Sequence, residues 1–310
     1  ARRFADEQGE KLGYSSVSLS EEVVTRLQVY GCPGNVNELR RIIEEALLKS
    51  GGHEIRVEHL NLAPSEDDRE MQIAHDMLQS LMPSAPPAVP GLDIAGKWTP
   101  ARQVGGDHFS FFQHDGTLIV SIAAVAGRVM RATVPAVMFS GVLRTQMEAP
   151  ATLNDRFASL NRSLYRSLDR RTFVCLTMGD IDPAAGVLRL ANSGCPYPLH
   201  FHDGRIDKVS LNGYPLGIRP DAEYETVDLN LAPGDYIVFV SDGIPEALND
   251  DEEAFGFERM RDVVQRRCSE GVSAAELIDA LFTHTNEFRG GATQSDDMTC
   301  VAVRVEPQGP

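Results

Sequence analysis

The chain has 310 residues, 42% of them hydrophobic and one of them Trp, which suffices for one large domain and a smaller one. Its 45 acidic residues against 29 basic ones leave a formal charge of −16, which argues against a nucleic-acid partner, because phosphate binding needs clustered Lys and Arg. No apolar run approaches the length of about 18 residues that a membrane helix needs, and no signal-like amino terminus is present, so the sequence predicts a cytoplasmic protein with no membrane partner.

Residues 1–64 read as a small helical domain. Ser18 or Ser20 can cap a helix carrying Val23, Val24 and Leu27, and Asn35 can cap a second with Val36, Leu39, Ile42, Ile43, Ala46 and Leu47 at helical spacing. Tyr30-Gly31-Cys32-Pro33-Gly34 is the turn between them. The run from Tyr30 to Leu39 resembles the lid of the sigma-54 activator AAA+ ATPases, with Cys32 where that family has Trp and Asn37 where its nucleotide-sensing Arg stands. No Gly-rich phosphate loop ending in Lys-Ser/Thr occurs anywhere, so the chain cannot hydrolyse ATP by itself, and an ATP-dependent transcription activator is excluded within it. The start at Ala1-Arg2-Arg3-Phe4, already lid-like, predicts a chain that begins inside a longer protein, the other reading being a lid kept as a docking module.

Residues 65–90 form a connection. After an acidic run, Met71, Ile73, Ala74, Met77, Leu78, Leu81 and Met82 make a helical stripe that Pro83 ends. Such a stripe is buried either on the following domain or against the same helix of a second chain, and its place between two units leans towards a homodimer through residues 66–82. The Pro-rich stretch Pro83 to Pro90 reads as an extended tether.

Residues 91–310 alternate strand-like and helix-like segments. Thr117 to Val125, Phe173 to Ile181, Val187 to Ala191, Tyr236 to Val240 and Met298 to Val305 read as strands, and Val134 to Gln146, Leu153 to Leu168, Phe257 to Arg267 and Ala274 to Phe288 as helices. Their order fits a layered α+β sandwich better than a doubly wound parallel sheet. Three acidic segments, Val104-Gly105-Gly106-Asp107, Val240-Ser241-Asp242-Gly243 and Ser295-Asp296-Asp297-Met298-Thr299, fall at strand ends. Converging carboxylates at the rim of a sheet are what a hard divalent cation requires, and Gly105, Gly106 and Gly243 would let the backbone approach the ion.

Five cysteines, Cys32, Cys175, Cys195, Cys268 and Cys300, are scattered without zinc-site spacing and are expected as reduced thiols, Cys175 and Cys300 as small core residues. His200 and His202 read as a solvated loop pair rather than a metal site, and Arg102 either meets a substrate phosphate or forms a surface ion pair.

From about residue 70 to 306 the chain resembles the SpoIIE/RsbU-like branch of the PPM metal-dependent protein Ser/Thr phosphatases. The resemblance rests on Leu-Gln-Ser-Leu-Met-Pro (78–83), Val-Gly-Gly-Asp-His-Phe (104–109), Leu-Ala-Asn-Ser-Gly-Cys-Pro-Tyr-Pro (190–198), Pro-Leu-Gly-Ile (215–218), Val-Ser-Asp-Gly-Ile-Pro-Glu-Ala (240–247) and Ser-Asp-Asp-Met-Thr (295–299). It implies a β-sandwich flanked by helices, two Mn²⁺ or Mg²⁺ ions held through Asp107, Asp242, Asp296 and Asp297 with the Val125 carbonyl, and a phosphorylated protein substrate, such as an anti-sigma antagonist-like protein in a partner-switching circuit. In the family an Asp bridges the two ions; here Ala124 stands at that position. Arg128 and Val129 replace the family's His (or Lys) and Gly, and Cys195 replaces a His, so Cys195 is either a tolerated replacement or a reactive thiol. The resemblance therefore implies an impaired phosphatase binding one ion weakly, or a pseudophosphatase that recognises a phosphoprotein; retention of the four Asp residues favours residual function.

Overall fold

In the computed structural model the first unit, residues 1–70, is built from α1 (Arg2–Leu12), α2 (Glu21–Val29) and α3 (Asn35–Ser50). The structure describes all residues except 1, 13, 15–16, 31–34, 63–72, 74–75, 102–104, 115, 127–129, 170 and 308–310, and only the backbone of 10, 12, 29, 35 and 130–133. Ser20 is the cap of α2, its Oγ accepting the Val23 N–H at 3.3 Å. Val23, Leu27, Ile42, Ile43, Ala46, Leu47 and Ile55 close a small core, with the unforeseen α1 contributing buried Ala5. The expected turn around Cys32 lies outside the described residues.

The second unit, residues 71–310, holds two five-stranded antiparallel sheets. One runs in the order β1 (Leu92–Thr99), β10 (Met298–Val305), β9 (Tyr236–Val240), β6 (Leu199–His202), β7 (Arg205–Lys208). The other runs β2 (Asp107–His114), β3 (Thr117–Val125), β4 (Val174–Asp182), β5 (Val187–Ser193), β8 (Thr226–Asn230). Alternation along the strands sorts the apolar side chains. Leu118, Val120 and Ile122 of β3 meet Ile237, Phe239, Val301 and Val303 between the sheets, while Ile119, Ala123 and Val125 face α4 (Met130–Met147) and α5 (Leu153–Ser167). The other sheet is covered on its outer face by α6 (Gly256–Ser269) and α7 (Ala274–Arg289). This is the expected α-β-β-α sandwich. Among the described residues no helix is long and apolar enough to cross a membrane.

Residues 76–81 are helical and stop ahead of Pro83. Leu78 is fully buried with α4 and α5, and Arg144 donates an Nη2–H to the Leu81 carbonyl at 2.9 Å, while Ile73 and Met77 stay exposed; Met71 and Ala74 lie outside the described residues. The Pro-rich stretch is less free than a tether: Val89 is buried in the inter-sheet core and its carbonyl accepts the Leu92 N–H at 3.1 Å, because an apolar side chain just ahead of β1 gains more from burial than from water.

Candidate metal centre

Register builds the site on one side of the sandwich. Asp107 pairs with Ala124, and Ala124 with Cys175, so these three side chains form a row on the inner face at one end of their sheet. From the opposite sheet Thr299 of β10 donates its Oγ1–H to Asp107 Oδ2 at 2.5 Å. Asp242 follows the end of β9, and Asp296 and Asp297 precede β10. The strand ends thus bring the three acidic segments together.

The four acids do different work. Asp297 spends both carboxylate oxygens on backbone: Oδ1 accepts the Ala101 N–H at 2.8 Å, and Oδ2 accepts those of Gly106 at 2.7 Å and Asp107 at 3.2 Å. Its carbonyl accepts the Ser241 Oγ–H at 3.0 Å, so one residue ties the three segments. Asp296 Oδ1 takes the Asp297 N–H at 2.8 Å. The glycines serve this packing: a Cβ on Gly105 would lie 1.9 Å from Asp297 Oδ2, and one on Gly243 would lie 2.0 Å from the Asp297 carbonyl oxygen. The Val125 N–H binds the Gly106 carbonyl at 3.1 Å, which joins the end of β3 to the same loop.

Burial pushes the Asp107 carboxyl well above its ordinary range, helped by the Asp297 and Asp242 charges and opposed by the Thr299 and Ser241 hydroxyls. Burial also raises Asp242, with Glu246 and Asp297 adding to it, and raises Asp296, with Asp242 and Asp297 adding. No Lys or Arg among the described residues relieves these three acids. Crowded carboxylates that repel one another without a counter-charge, Asp107 buried, Asp242 half-buried and Asp296 at the surface, suit a divalent cation. Between Asp107 and Cys175, however, the chain offers only the methyl group of Ala124, beside a cavity of about 10 Å³ lined by Ile122, Cys175, Cys195, Ser241 and Asp242. That is about the space of one water.

Cys195 is half-buried, and desolvation raises its thiol pKa well above the ordinary value with Cys175 adding to the effect, which favours the tolerated replacement over the reactive thiol. Its amide is held instead: Asn192 Oδ1 accepts the Cys195 N–H at 3.1 Å and Asn192 Nδ2 donates to its carbonyl at 3.0 Å. Cys175 is half-buried at the cavity rather than in the core, its thiol pushed up to about 12 by burial and then by Asp242 and Asp107. A cleft of about 610 Å³ adjoins the small cavity, sharing Gly194, Cys195 and Pro196 with it and adding Tyr197, Lys208, Phe257 and Arg261. Arg102, Arg128 and Val129 lie outside the described residues.

His200 and His202 are not a loop pair. Both lie in β6, on one face of it, and join Asp235 in a set whose ligand atoms all fall within 4.8 Å of one another; among the described residues the acids around Asp107 form no set of three that close. The sequence reading missed this because Phe201, a core residue between the two His, signals a strand only when the pairing with β9 is known.

A family model described as Stage II sporulation protein E (SpoIIE) matches residues 114–306, and one described as AAA+ ATPase lid domain matches residues 1–76. The chain is 23% identical over 237 residues to the phosphoserine phosphatase RsbU of Bacillus subtilis, covering 76% of this chain and 70% of that protein. Its fold is similar to that of the SiaA PP2C domain of Pseudomonas aeruginosa, at a TM-score of 0.69 and 17% identity, over 77% of this chain and 97% of that one. It is also similar to a Mycobacterium tuberculosis structure of RsbU and RsbW domains, at a TM-score of 0.61 and 26% identity, over 72% of this chain and 62% of that one.

Proposed function

Because the chain belongs to the Stage II sporulation protein E family, we propose that residues 91–310 form a metal-dependent protein Ser/Thr phosphatase domain of a bacterial signalling circuit, impaired by Ala124. The observation that carries this reading is the group Asp107, buried, Asp242, half-buried, and Asp296, at the surface, whose carboxyls are all pushed up and relieved by no basic side chain among the described residues, beside a methyl group at position 124. Asp242 and Asp296 would supply oxygens to one Mn²⁺ or Mg²⁺, with Asp107 and the Val125 carbonyl as the further candidates. A divalent ion bound there lowers the pKa of its water for attack on a phosphoester. Asp297 acts by position, holding the loop that presents Asp107. Lacking a carboxylate at 124, the site would hold a single ion weakly, and slow turnover would follow. The cleft beside Cys195 receives the segment around the phosphorylated residue, Arg102 meets the phosphate, and the substrate is a phosphorylated regulatory protein such as an anti-sigma antagonist-like protein.

Ala124 and Cys195, both at the small cavity, favour a second reading, a pseudophosphatase that binds the phosphoprotein without cleaving it. Phosphate release from a phosphoserine-bearing protein, measured with Mn²⁺ for the full chain and for Asp242→Asn, separates the two. Slow Mn²⁺-dependent release that Asp242→Asn abolishes supports the phosphatase. Release at the blank rate, with binding of the phosphorylated but not the unphosphorylated partner, supports the second reading; neither release nor binding overturns both.

A further inference from the structure

The set His200, His202 and Asp235 lies at the far end of β9 from the acidic segments. Asp235 immediately precedes the first residue of that strand and Asp242 comes after its last, so the two carboxylates are separated by about 20 Å of extended chain. The two places share no residue.

The arrangement follows from pairing. In β6, Leu199 and Phe201 face the helix layer, so His200 and His202 face the other way. Leu199 pairs with Val238, His200 with Ile237 and Phe201 with Tyr236, and the next step of the same antiparallel ladder sets His202 opposite Asp235. Two imidazoles at i and i+2 and one carboxylate on the neighbouring strand thus share a face. The contacts agree: His200 Nε2 lies 3.2 Å from Asp235 Oδ2, and His202 Nδ1 lies 2.9 Å from both Asp235 oxygens.

The nitrogen–oxygen separations are close to those a tetrahedral ion imposes, and the two ring nitrogens lie within 4.8 Å of each other. With metal–ligand bonds of about 2.0–2.1 Å, the ligand atoms of a Zn²⁺ site sit roughly 3.3 Å apart. The surroundings hold Asp235 and His202 in place. The Ala232 N–H donates to Asp235 Oδ2 at 2.9 Å, and Asp203 Oδ2 lies 3.3 Å from His202 Nε2, the ring nitrogen that Asp235 does not use. A carboxylate on the far nitrogen of an imidazole is the outer partner that metal-bound histidines commonly have, since it fixes the tautomer in which the near nitrogen offers its lone pair. Asp235 and His200 are nearly buried, and His202 is 40% exposed, which leaves a side open for a fourth ligand from solvent.

We propose that His200 Nε2, His202 Nδ1 and the Asp235 carboxylate form a binding site for a late first-row divalent cation of the Zn²⁺ class, separate from the acidic centre. Two imidazoles and one carboxylate select Zn²⁺, Co²⁺, Ni²⁺ or Cu²⁺ over Mg²⁺ and Mn²⁺, which favour oxygen. On binding, the two ring protons now directed at Asp235 leave those nitrogens, moving to the opposite ring nitrogen of a neutral imidazole or to solvent from a charged one. The ion joins β6 to the start of β9, and β6 follows directly from the Cys195 segment that lines the cleft.

Calorimetric titration of Zn²⁺ into the full chain in excess Mg²⁺, which occupies oxygen-rich sites, is the test, repeated for His202→Gln, for His200→Gln combined with His202→Gln, and for Asp242→Asn. One equivalent of Zn²⁺ is expected for the parent and for Asp242→Asn, with at least tenfold weaker binding in His202→Gln and none in the double variant. Co²⁺ in place of Zn²⁺ should give the visible absorption of a tetrahedral nitrogen and oxygen site without thiolate charge-transfer bands, and the double variant should lose it. His202→Gln, at the exposed ligand, covers the case in which the double variant does not fold. A parent that binds no Zn²⁺ under these conditions overturns the site. So does Zn²⁺ binding that survives loss of the histidines, vanishes in Asp242→Asn, or shows thiolate bands with Co²⁺.

Discussion

Thr299 reaches across the sandwich from β10 to donate its hydroxyl hydrogen to Asp107 Oδ2 at 2.5 Å, so the two sheets are joined at the most strongly perturbed carboxyl of the acidic site. A hydroxyl donor favours the ionised acid, and a hydrogen bond to a charged group contributes about 1.5–3 kcal/mol. Thr299→Val keeps the shape and removes the donor. Mn²⁺ affinity measured by calorimetry should then fall by roughly 10–100-fold with the fold intact by circular dichroism, and an unchanged affinity would separate Asp107 from the ion.

Ala124→Asp should strengthen metal binding and raise Mn²⁺-dependent hydrolysis of p-nitrophenyl phosphate. The register sets position 124 between Asp107 and Cys175, so a new carboxylate enters the gap beside an existing acid. A companion variant that also carries Arg128→His and Val129→Gly tests the neighbouring loop. No gain in either variant, when both bind metal, means that position 124 is not the missing ligand.

Asp297 and Asp242 should respond with opposite signs in metal-free protein at neutral pH. Asp297→Asn turns an amide NH₂ towards a backbone N–H that had an acceptor, at a cost of about 1–3 kcal/mol, or a fall in Tm of roughly 5 °C. Asp242→Asn removes a half-buried like charge and should raise Tm. Thermal unfolding in a chelator reads both; a stable Asp297→Asn would remove the anchoring role.

Acid should unfold the chain partly through His108. Burial, with the Arg144 charge adding to it, lowers its pKa from 6.5 to about 4, although a contact to the Leu81 backbone opposes this. A base whose folded pKa is depressed binds fewer protons folded than unfolded, so its contribution is complete above about pH 6.5 and is lost as pH falls towards 4. The loss is on the order of 3 kcal/mol. Urea unfolding at pH 7 and 4.5 should show that His108→Gln is weaker at neutral pH and less sensitive to acid than the parent by about 2–3 kcal/mol. Parallel slopes would place the sensitivity elsewhere.

Ile73 and Met77 remain 61% and 55% exposed, and Met77 shares its helix with the fully buried Leu78, which leaves apolar side chains for a second copy of the chain. A homodimer through residues 66–82 is the proposed use of it. Met77→Glu should turn a dimer into a monomer in light scattering at tens of micromolar while circular dichroism stays that of the parent, since in the single chain this side chain packs on no core. A parent that is monomeric at that concentration removes the dimer.

The sandwich was legible where burial writes a pattern. Thr117–Val125, Tyr236–Val240 and Met298–Val305 were read to the residue because they pair on both sides and carry apolar residues throughout. β7, with Arg205, Asp207 and Lys208 exposed, and β8, with Thr226, Asp228 and Asn230, are edge strands whose polar residues write no such signal. β1 was hidden by Gly96 and Lys97, although the bare Gly96 is what makes room for the Phe109 ring, 2.5 Å from where a Cβ would stand. At the acidic site the sequence identified the segments but not how their groups divide the work. That Asp297 holds amides, and that the glycines clear its path, depends on contacts between residues about 190 positions apart.

The knot that Asp297 ties means that motif spelling and chemistry can decay at different speeds. A lineage with no use for hydrolysis could exchange a bridging acid for alanine with little harm to folding, yet could not lightly exchange Asp297, Gly105 or Gly243, because each is locked against another segment's backbone or carboxylate. Survival of Ser-Asp-Asp-Met-Thr is then a record of architecture. Position 124 lines the small cavity and takes part in none of these contacts, so a change there leaves them intact.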